Sequence, residues 1–350
     1  MRIALFCEQK YAISILFPLQ EEAAKGGHDV LWFVDARNIP DFPRHDEVVF
    51  TNDMQTLYDF SPEAIFVPGN IVPYYLPGVK IEIFHGYAAE KKGHWIIRHY
   101  LDLYLTQGPY FTERFRRLAV RHGDFEVVET GWTRQDWIHQ HLHDFDAERQ
   151  QLLRDHGRRQ VALYAPTFSP SLTSLPFLEG SLRRLVAERD VLLLIKLHPL
   201  TRPEWVEAYR RLAGEVEHAV WIDDHALAKY ILISDVVISD TSSALYEALL
   251  ADKPVVAFNN AVAAGRWMNF TDADALLDAF DGASSDAFAL QRQQLIAAYD
   301  PHRDGLVSRR MIEAAADYIA RRGVPKERKL NPWRRYQCIK KFGKIKKRKG

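Results

Sequence analysis

Cysteine is scarce in this chain. Its 350 residues hold two, Cys7 and Cys338, near opposite ends, which excludes a disulfide framework or a Cys-based metal site and fits a reducing cytosol. Long apolar runs are missing as well: nothing approaches the ~18 uninterrupted apolar residues of a membrane-spanning helix. The opening Met1-Arg2-Ile3-Ala4-Leu5-Phe6 enters a strand-like pattern directly, without the apolar region and cleavage site of a signal peptide. A soluble or at most peripheral protein is therefore expected. Neither a P-loop nor a GxGxxG fingerprint occurs. Asp223-Asp224 pairs two carboxylates without a companion His or Cys, so no metal and no cofactor are expected.

What is present is the composition of a folded chain, 47% hydrophobic and 26% charged, which excludes disorder and collagen-like structure. The length suffices for two α/β domains. Net charge is zero, with 46 Lys/Arg against 46 Asp/Glu, but the balance is uneven. Residues 326–350 hold twelve Lys/Arg and one Glu, a local +11 that leaves −11 on the rest. A basic arm on an acidic body suits an anionic surface or polymer.

Strand-length apolar runs alternate with helical patterns, which predicts parallel sheets built from βαβ units. The first half offers Ile3–Cys7, His28–Val34, Ala64–Val67, Val79–Phe84, Leu101–Leu105 and Glu126–Thr130, with helices at Tyr11–Lys25 and Phe111–Arg121. Residues 137–159 read as a polar helical connection. The second half repeats the pattern with Val161–Ala165, Val191–Leu197, Val220–Ile222, Val236–Ser239 and Val255–Phe258. The expected architecture is two doubly wound parallel-sheet domains facing a central cleft, spanning 1–140 and 141–325, followed by a basic aromatic tail, 326–350. Ligands of such sheets bind beyond the carboxyl ends of the strands.

Polar or Gly-containing clusters fall at those ends. Asp240-Thr241-Ser242-Ser243 precedes a helical run, where small hydroxyl residues and unpaired N–H groups suit phosphate; the same residues also suit plain helix capping. Lys196 and His198 alternate at a strand end and are expected on one side of the sheet, where they could hold a diphosphate or simply stand solvated. His85, between a buried-looking strand and Gly86, is the histidine suited to act as a base on a hydroxyl; a structural role is the alternative.

In order, Phe84-His85-Gly86 with Gly93, Thr106-Gln107-Gly108-Pro109, Thr130-Gly131-Trp132-Thr133-Arg134-Gln135-Asp136, Tyr164-Ala165-Pro166-Thr167-Phe168, Lys196-Leu197-His198-Pro199 and Ser234–Ser243 resemble the CDP-glycerol glycerophosphotransferases, the teichoic-acid-type primases and polymerases. Asp304-Gly305 and Ser308-Arg309 resemble that family's ending. The resemblance implies a GT-B-like fold with the donor held mainly by the second domain. It implies transfer of glycerol phosphate from CDP-glycerol to a hydroxyl of a cell-envelope glycan or lipid-linked acceptor, with release of CMP. By position, His85 and His198 would be catalytic, and Thr167, Lys196, Asp240, Ser242, Ser243 and Glu247 would bind the donor. Three places depart from the family: Tyr87-Ala88-Ala89-Glu90, with Lys91 one place later, replaces a Thr-Pro-Leu-Lys pattern, Asp240-Thr241-Ser242-Ser243 replaces Asp-Tyr-Ser-Ser, and Glu247 stands where Asp is usual. Thr241 and Glu247 also suit a nucleotide-sugar glycosyltransferase of the same fold, which is the alternative function.

In the tail, Trp333, Tyr336, Ile339, Phe342 and Ile345 recur every third residue among lysines and arginines. Basic charge and aromatic rings favour an anionic membrane interface, although Pro332 and Gly343 argue against one continuous helix. A peripheral location at the inner face of the cell membrane follows as an expectation. Specific nucleic-acid binding is not expected, since the body is acidic and lacks a basic stripe with interleaved aromatics.

Overall fold

Strands that are apolar along their whole length must be covered on both faces, and such strands build parallel sheets with helices on each side. The computed structural model of the protein, which describes residues 1–87, 92–224, 226–260 and 267–346, has two sheets of this kind. The first compact unit comprises Met1–Gln140 together with Tyr299–Gly350, and the second His141–Ala298. Residues Ala88, Ala89, Glu90 and Lys91 and the last four residues of the tail lie outside the described residues.

In the first unit the chain forms β1 (Arg2–Cys7), α1 (Lys10–Lys25), β2 (Asp29–Val34), β3 (Phe50–Thr51), α2 (Met54–Phe60), β4 (Ala64–Val67), β5 (Val79–Glu82), β6 (Leu103–Thr106), α3 (Pro109–His122), β7 (Glu126–Glu129) and α4 (Arg134–Gln140). The seven strands are ordered β3-β2-β1-β4-β5-β6-β7 and pair in parallel. Chain order reverses between β1 and β4, the switch point of a doubly wound sheet. Strands β4, β5 and β6 are buried throughout. Each large apolar side chain removed from water there contributes about 1.5–3 kcal/mol.

The second unit contains α5 (Asp146–His156), β8 (Gln160–Tyr164), α6 (Leu175–Glu188), β9 (Val191–Ile195), α7 (Pro203–Glu215), β10 (Ala219–Trp221), α8 (Leu227–Ile233), β11 (Val236–Ser239), α9 (Ala244–Leu250), β12 (Val255–Phe258), β13 (Met268–Phe270), α10 (Leu276–Gly282) and α11 (Asp286–Tyr299). Its six parallel strands run β10-β9-β8-β11-β12-β13, with the switch between β8 and β11.

Three expectations need correction. The second unit ends at Ala298 and not at residue 325, because helix α12 (Val307–Arg322) belongs to the first unit. Asp136 accepts the N–H groups of Val307 and Ser308 at 2.8 and 2.6 Å. It thereby caps a helix that starts 171 residues later in the chain. Gly131, at φ +96°, lies so close to this segment that a Cβ would stand 2.8 Å from His302 and Val307. Secondly, the stretch 137–159 read as one polar helical connection does cross the unit boundary after Gln140 but is divided between the end of α4 and α5. The latter is fixed to the second unit by Arg149, which donates to both carboxylate oxygens of Asp235 at 2.8 and 2.9 Å.

The third correction concerns the tail, which is no free arm over residues 326–346. Arg328 forms a buried ion pair with Asp102, the residue before β6, at 2.6 Å. Helix α13 (Pro332–Phe342) then begins with Pro at its first position, where the missing N–H costs nothing. Asn331 caps it by accepting the Arg334 N–H at 2.8 Å. Gly343, at φ +79°, ends it. Cys338 and Phe342 are buried in the core of the first unit, and Phe342 meets Phe6 edge-on at 5.6 Å.

Candidate functional site

Strands β9, β8 and β11 are neighbours, so their carboxyl ends gather the second unit's expected donor residues. Asp240, directly after β11, is fully buried. Its carboxylate accepts the N–H groups of Thr167 and Ser174, both at 2.8 Å, and the Ser174 hydroxyl at 2.9 Å. Burial pushes its pKa up to about 6, against the pull of the Ser174 and Thr167 hydrogen bonds. Asp240 therefore fixes the loop after β8 to the end of β11 across the switch point. That corrects its expected role as a donor ligand, since both oxygens are engaged and neither faces solvent.

Thr167, on the loop so anchored, remains partly exposed, and the Phe168 ring stacks on His198 at 4.3 Å. Nδ1 of His198 accepts the Leu200 N–H at 3.0 Å. The proton of the neutral ring is thereby assigned to Nε2, on the exposed side chain. Burial against the loop lowers the His198 pKa. At neutral pH the residue is thus a directed N–H donor.

Lys196 has other partners. Its ammonium reaches the backbone carbonyl of Asp224 and lies 3.7 Å from that carboxylate, with the Tyr230 ring 5.7 Å away. The Tyr230 hydroxyl completes the group by donating to Asp224 at 2.5 Å. Burial lowers the Lys196 pKa, and Asp224 opposes the shift. Strand β9 ends at Ile195, and the two residues beyond it take different neighbours: Lys196 meets Asp224, after β10, and His198 meets Phe168, after β8.

The Ser242 hydroxyl accepts the Ala244 N–H at 3.2 Å, a capping contact. Ser243 precedes α9 with an exposed side chain and no side-chain cap bond. Glu247 follows one turn on and is half-buried.

In the first unit, His85 follows β5 on a tightly held turn. Nδ1 donates to the Pro68 carbonyl at 2.9 Å. A carbonyl can only accept, so the lone pair of the neutral ring lies on Nε2, as a general base requires. Phe84, just before it, has φ +60°, a conformation that costs a bulky residue on the order of 1–3 kcal/mol. Three contacts hold it there. Its N–H donates to Glu82 at 3.2 Å and its carbonyl accepts the Trp132 indole N–H at 3.2 Å. The carbonyl of Gly86 accepts the Gln107 amide at 2.9 Å. The same φ explains why β5 stops at Glu82, short of the expected Phe84. Beyond the turn, the Tyr87 hydroxyl donates to buried Asp300 at 2.6 Å. The Tyr11 ring lies 5.3 Å from that of His85.

Residues 78–264 match the sequence family described as CDP-Glycerol:Poly(glycerophosphate) glycerophosphotransferase. The chain belongs to this glycerophosphotransferase family. It is 35% identical over 106 residues to the teichoic acid glycerol-phosphate primase of Bacillus spizizenii (strain ATCC 23059 / NRRL B-14472 / W23), a match covering 29% of this chain and 25% of that protein. The chain therefore spans about a quarter of the length of that curated relative. Among solved structures, the wall teichoic acid polymerase TagF aligns over 91% of this glycerophosphotransferase-family chain and 89% of its own, with TM-score 0.66 and 17% identity. MnaA of S. aureus, solved with UDP, aligns over 91% and 97% with TM-score 0.68 and 14% identity. At such identity the likeness concerns the fold, which is GT-B-like with two parallel-sheet α/β domains.

Within this family member, several motif residues serve architecture. Besides Gly131 and Asp136, Gly108 leaves no room for a side chain, since a Cβ would lie 2.4 Å from the Tyr299 carbonyl oxygen. Asp224, Tyr230, Phe168 and Ser174 were not anticipated as site residues. Phe168 lies in the motif that follows β8, and the Asp223-Asp224 pair suggests only a metal ligand. Nothing local marked Ser174 or Tyr230. Among the described residues no group of three His, Cys, Asp or Glu could hold a metal ion, and no helix is long and apolar enough to cross a membrane.

Proposed function

We propose that the protein transfers glycerol phosphate from CDP-glycerol to a hydroxyl of a cell-envelope glycan or lipid-linked acceptor. In this reading His85 Nε2 takes the proton of the attacking hydroxyl. The acceptor oxygen bonds to the glycerol-bearing phosphorus as its bond to the bridging oxygen breaks. CMP leaves with that electron pair. The observation that carries the reading is the tautomer of His85, fixed by the Pro68 carbonyl on a turn held at Phe84, Gly86 and Tyr87.

The donor would meet the strand ends of the second unit. His198 offers an Nε2–H to the diphosphate, and Thr167, Ser242 and Ser243 add hydroxyl groups. Lys196 supplies positive charge from its seat on Asp224. Phosphoryl transfer needs chiefly positioning and charge stabilisation, and these groups provide both. Asp240 acts on the donor only through the Thr167 loop. The half-buried Glu247 keeps a second reading open, a nucleotide-sugar glycosyltransferase whose carboxylate binds ribose hydroxyls; MnaA, of similar fold, was solved with UDP.

Location at the inner face of the cell membrane belongs to the same proposal. Trp333 and Tyr336 are 65% and 56% exposed and stack on each other at 5.7 Å. Arg334 and Arg335 lie between them in the chain.

Isothermal titration of CDP-glycerol, CDP, UDP and UDP-sugars separates the readings, with His198→Ala as control. Cytidine-selective binding weakened at least tenfold by the substitution supports the glycerophosphotransferase. A preference for a uridine sugar would move the second reading to first place.

A further inference from the structure

The switch point of the first sheet carries a cavity of about 270 Å³ beyond the ends of β1 and β4. Glu8, Tyr11, Pro68, Asn70, Arg98 and Lys341 are among the residues lining it. Lys341 comes from α13, so the basic C-terminal segment supplies part of the wall. Its ammonium pairs with Glu8, and its carbonyl is held by Arg37 at 2.8 Å. With Glu8 neutralised, Arg98 remains. Its guanidinium makes one hydrogen bond, to the Ile96 carbonyl at 3.3 Å, and has no ion pair among the described residues. Burial, Glu8 and Glu82 push the Tyr11 pKa up to about 12, so its phenol keeps its proton.

The lining thus presents a guanidinium, an ammonium, a phenol and two amides, Gln9 and Asn70, against the Glu8 carboxylate; buried Glu82 also acts on Arg98, but burial pushes its own pKa well above the usual carboxylate range. That excess of cationic donors suits a phosphate, which accepts charge-assisted hydrogen bonds on all its oxygens. A phosphate gives Arg98 a charge-assisted partner, which a neutral sugar cannot supply. The cavity also adjoins the proposed base: the Tyr11 ring meets that of His85 at a tilt, 5.3 Å between centroids, and Pro68 both lines the cavity and holds His85 Nδ1.

We infer that Arg98 and Lys341 form an anion subsite that holds a phosphate of the acceptor, with α13 as a structural part of that subsite. A polyol phosphate seated there brings a hydroxyl alongside His85. The use made of that hydroxyl rests on the glycerophosphotransferase reading, whereas the anion site itself does not.

Titration of the full-length protein with sn-glycerol 3-phosphate, glycerol and geranyl diphosphate tests this directly. Glycerol 3-phosphate should bind and glycerol should not. Arg98→Gln should weaken the phosphate by about tenfold or more. Lys341→Gln should weaken it too, because it also bares Glu8. Glu8→Gln should tighten binding, a sign that mere loss of folding cannot produce. Tighter binding of geranyl diphosphate would identify the anion as a lipid diphosphate, and tighter glycerol 3-phosphate as a polyol phosphate end. Equal affinities in wild type, Arg98→Gln and Glu8→Gln would overturn the subsite, as would glycerol binding as well as its phosphate. Titrating CDP-glycerol in parallel keeps the two ideas apart. If wild type ignores CDP-glycerol, the function reading fails while the glycerol 3-phosphate series still decides the subsite.

Discussion

The strand ends of the two sheets solve different problems. Around His85 the chain is held by side chains from distant segments, and one residue sits at a costly positive φ. Around His198 and Ser243 the groups facing outward are exposed and have few protein partners, while the scaffold beneath them is locked by buried Asp240. The difference fits the chemistry proposed for each. A base must aim one nitrogen along one direction, whereas a diphosphate accepts hydrogen bonds from several directions. Rigidity is spent on the ring in one unit and on the loop in the other.

The comparison breaks most sharply at His85. His85→Ala should lower the transfer rate by about 10²–10⁴-fold and leave CDP-glycerol affinity within about twofold. Single-turnover kinetics with parallel titration would show it, and a lost donor affinity would mean that His85 acts in binding. Next comes the tie that returns the C-terminal segment to the first unit. Asp102→Asn strands Arg328 in a buried setting and should cost about 3–5 kcal/mol. Chemical denaturation followed by tryptophan fluorescence would detect it, and an effect below about 1 kcal/mol would show the pair to be dispensable.

Asp240 sharpens the other side. Its folded pKa of about 6 lies above its ordinary 3.8, so the native state binds the extra proton. Its contribution to stability is therefore full below about pH 4 and is lost as pH rises through about 6, a change on the order of 3 kcal/mol. The stability of wild type relative to Asp240→Asn should fall over that range, and a flat difference would mean that ionisation carries no penalty. The smallest effect is expected at the surface. Trp333→Ala with Tyr336→Ala should reduce binding to vesicles containing anionic phosphatidylglycerol by about fivefold to tenfold, with donor affinity unchanged. Unaltered vesicle binding would remove the aromatic pair from any membrane role.

Strands such as Ala64–Val67, Val236–Ser239 and Val255–Phe258 were legible to the residue, because a buried parallel strand is an uninterrupted apolar run between turn signals. The two-residue β3 and the short β13 escaped notice, since neither is long enough to show a period. The motif order pointed to the family, and His85 and His198 were visible at strand ends. The partners that give them direction were not. Pro68 and Leu200 contribute backbone atoms, which no side-chain pattern reports. The tail misled for a related reason. Its third-residue repeat resembles an exposed arm, yet Phe342 finds Phe6 and Arg328 finds Asp102, more than 200 residues back.

By itself the sequence determined two parallel α/β sheets, the family and the strand ends at which its polar motifs fall, because hydrophobic period and turn chemistry are local. Only tertiary structure decided that Asp240 is a strut, that Lys196 meets Asp224 while His198 meets Phe168, and that the last helix packs into the core of the first unit. Each of these depends on which distant carbonyl, carboxylate or ring a side chain meets once the chain has folded.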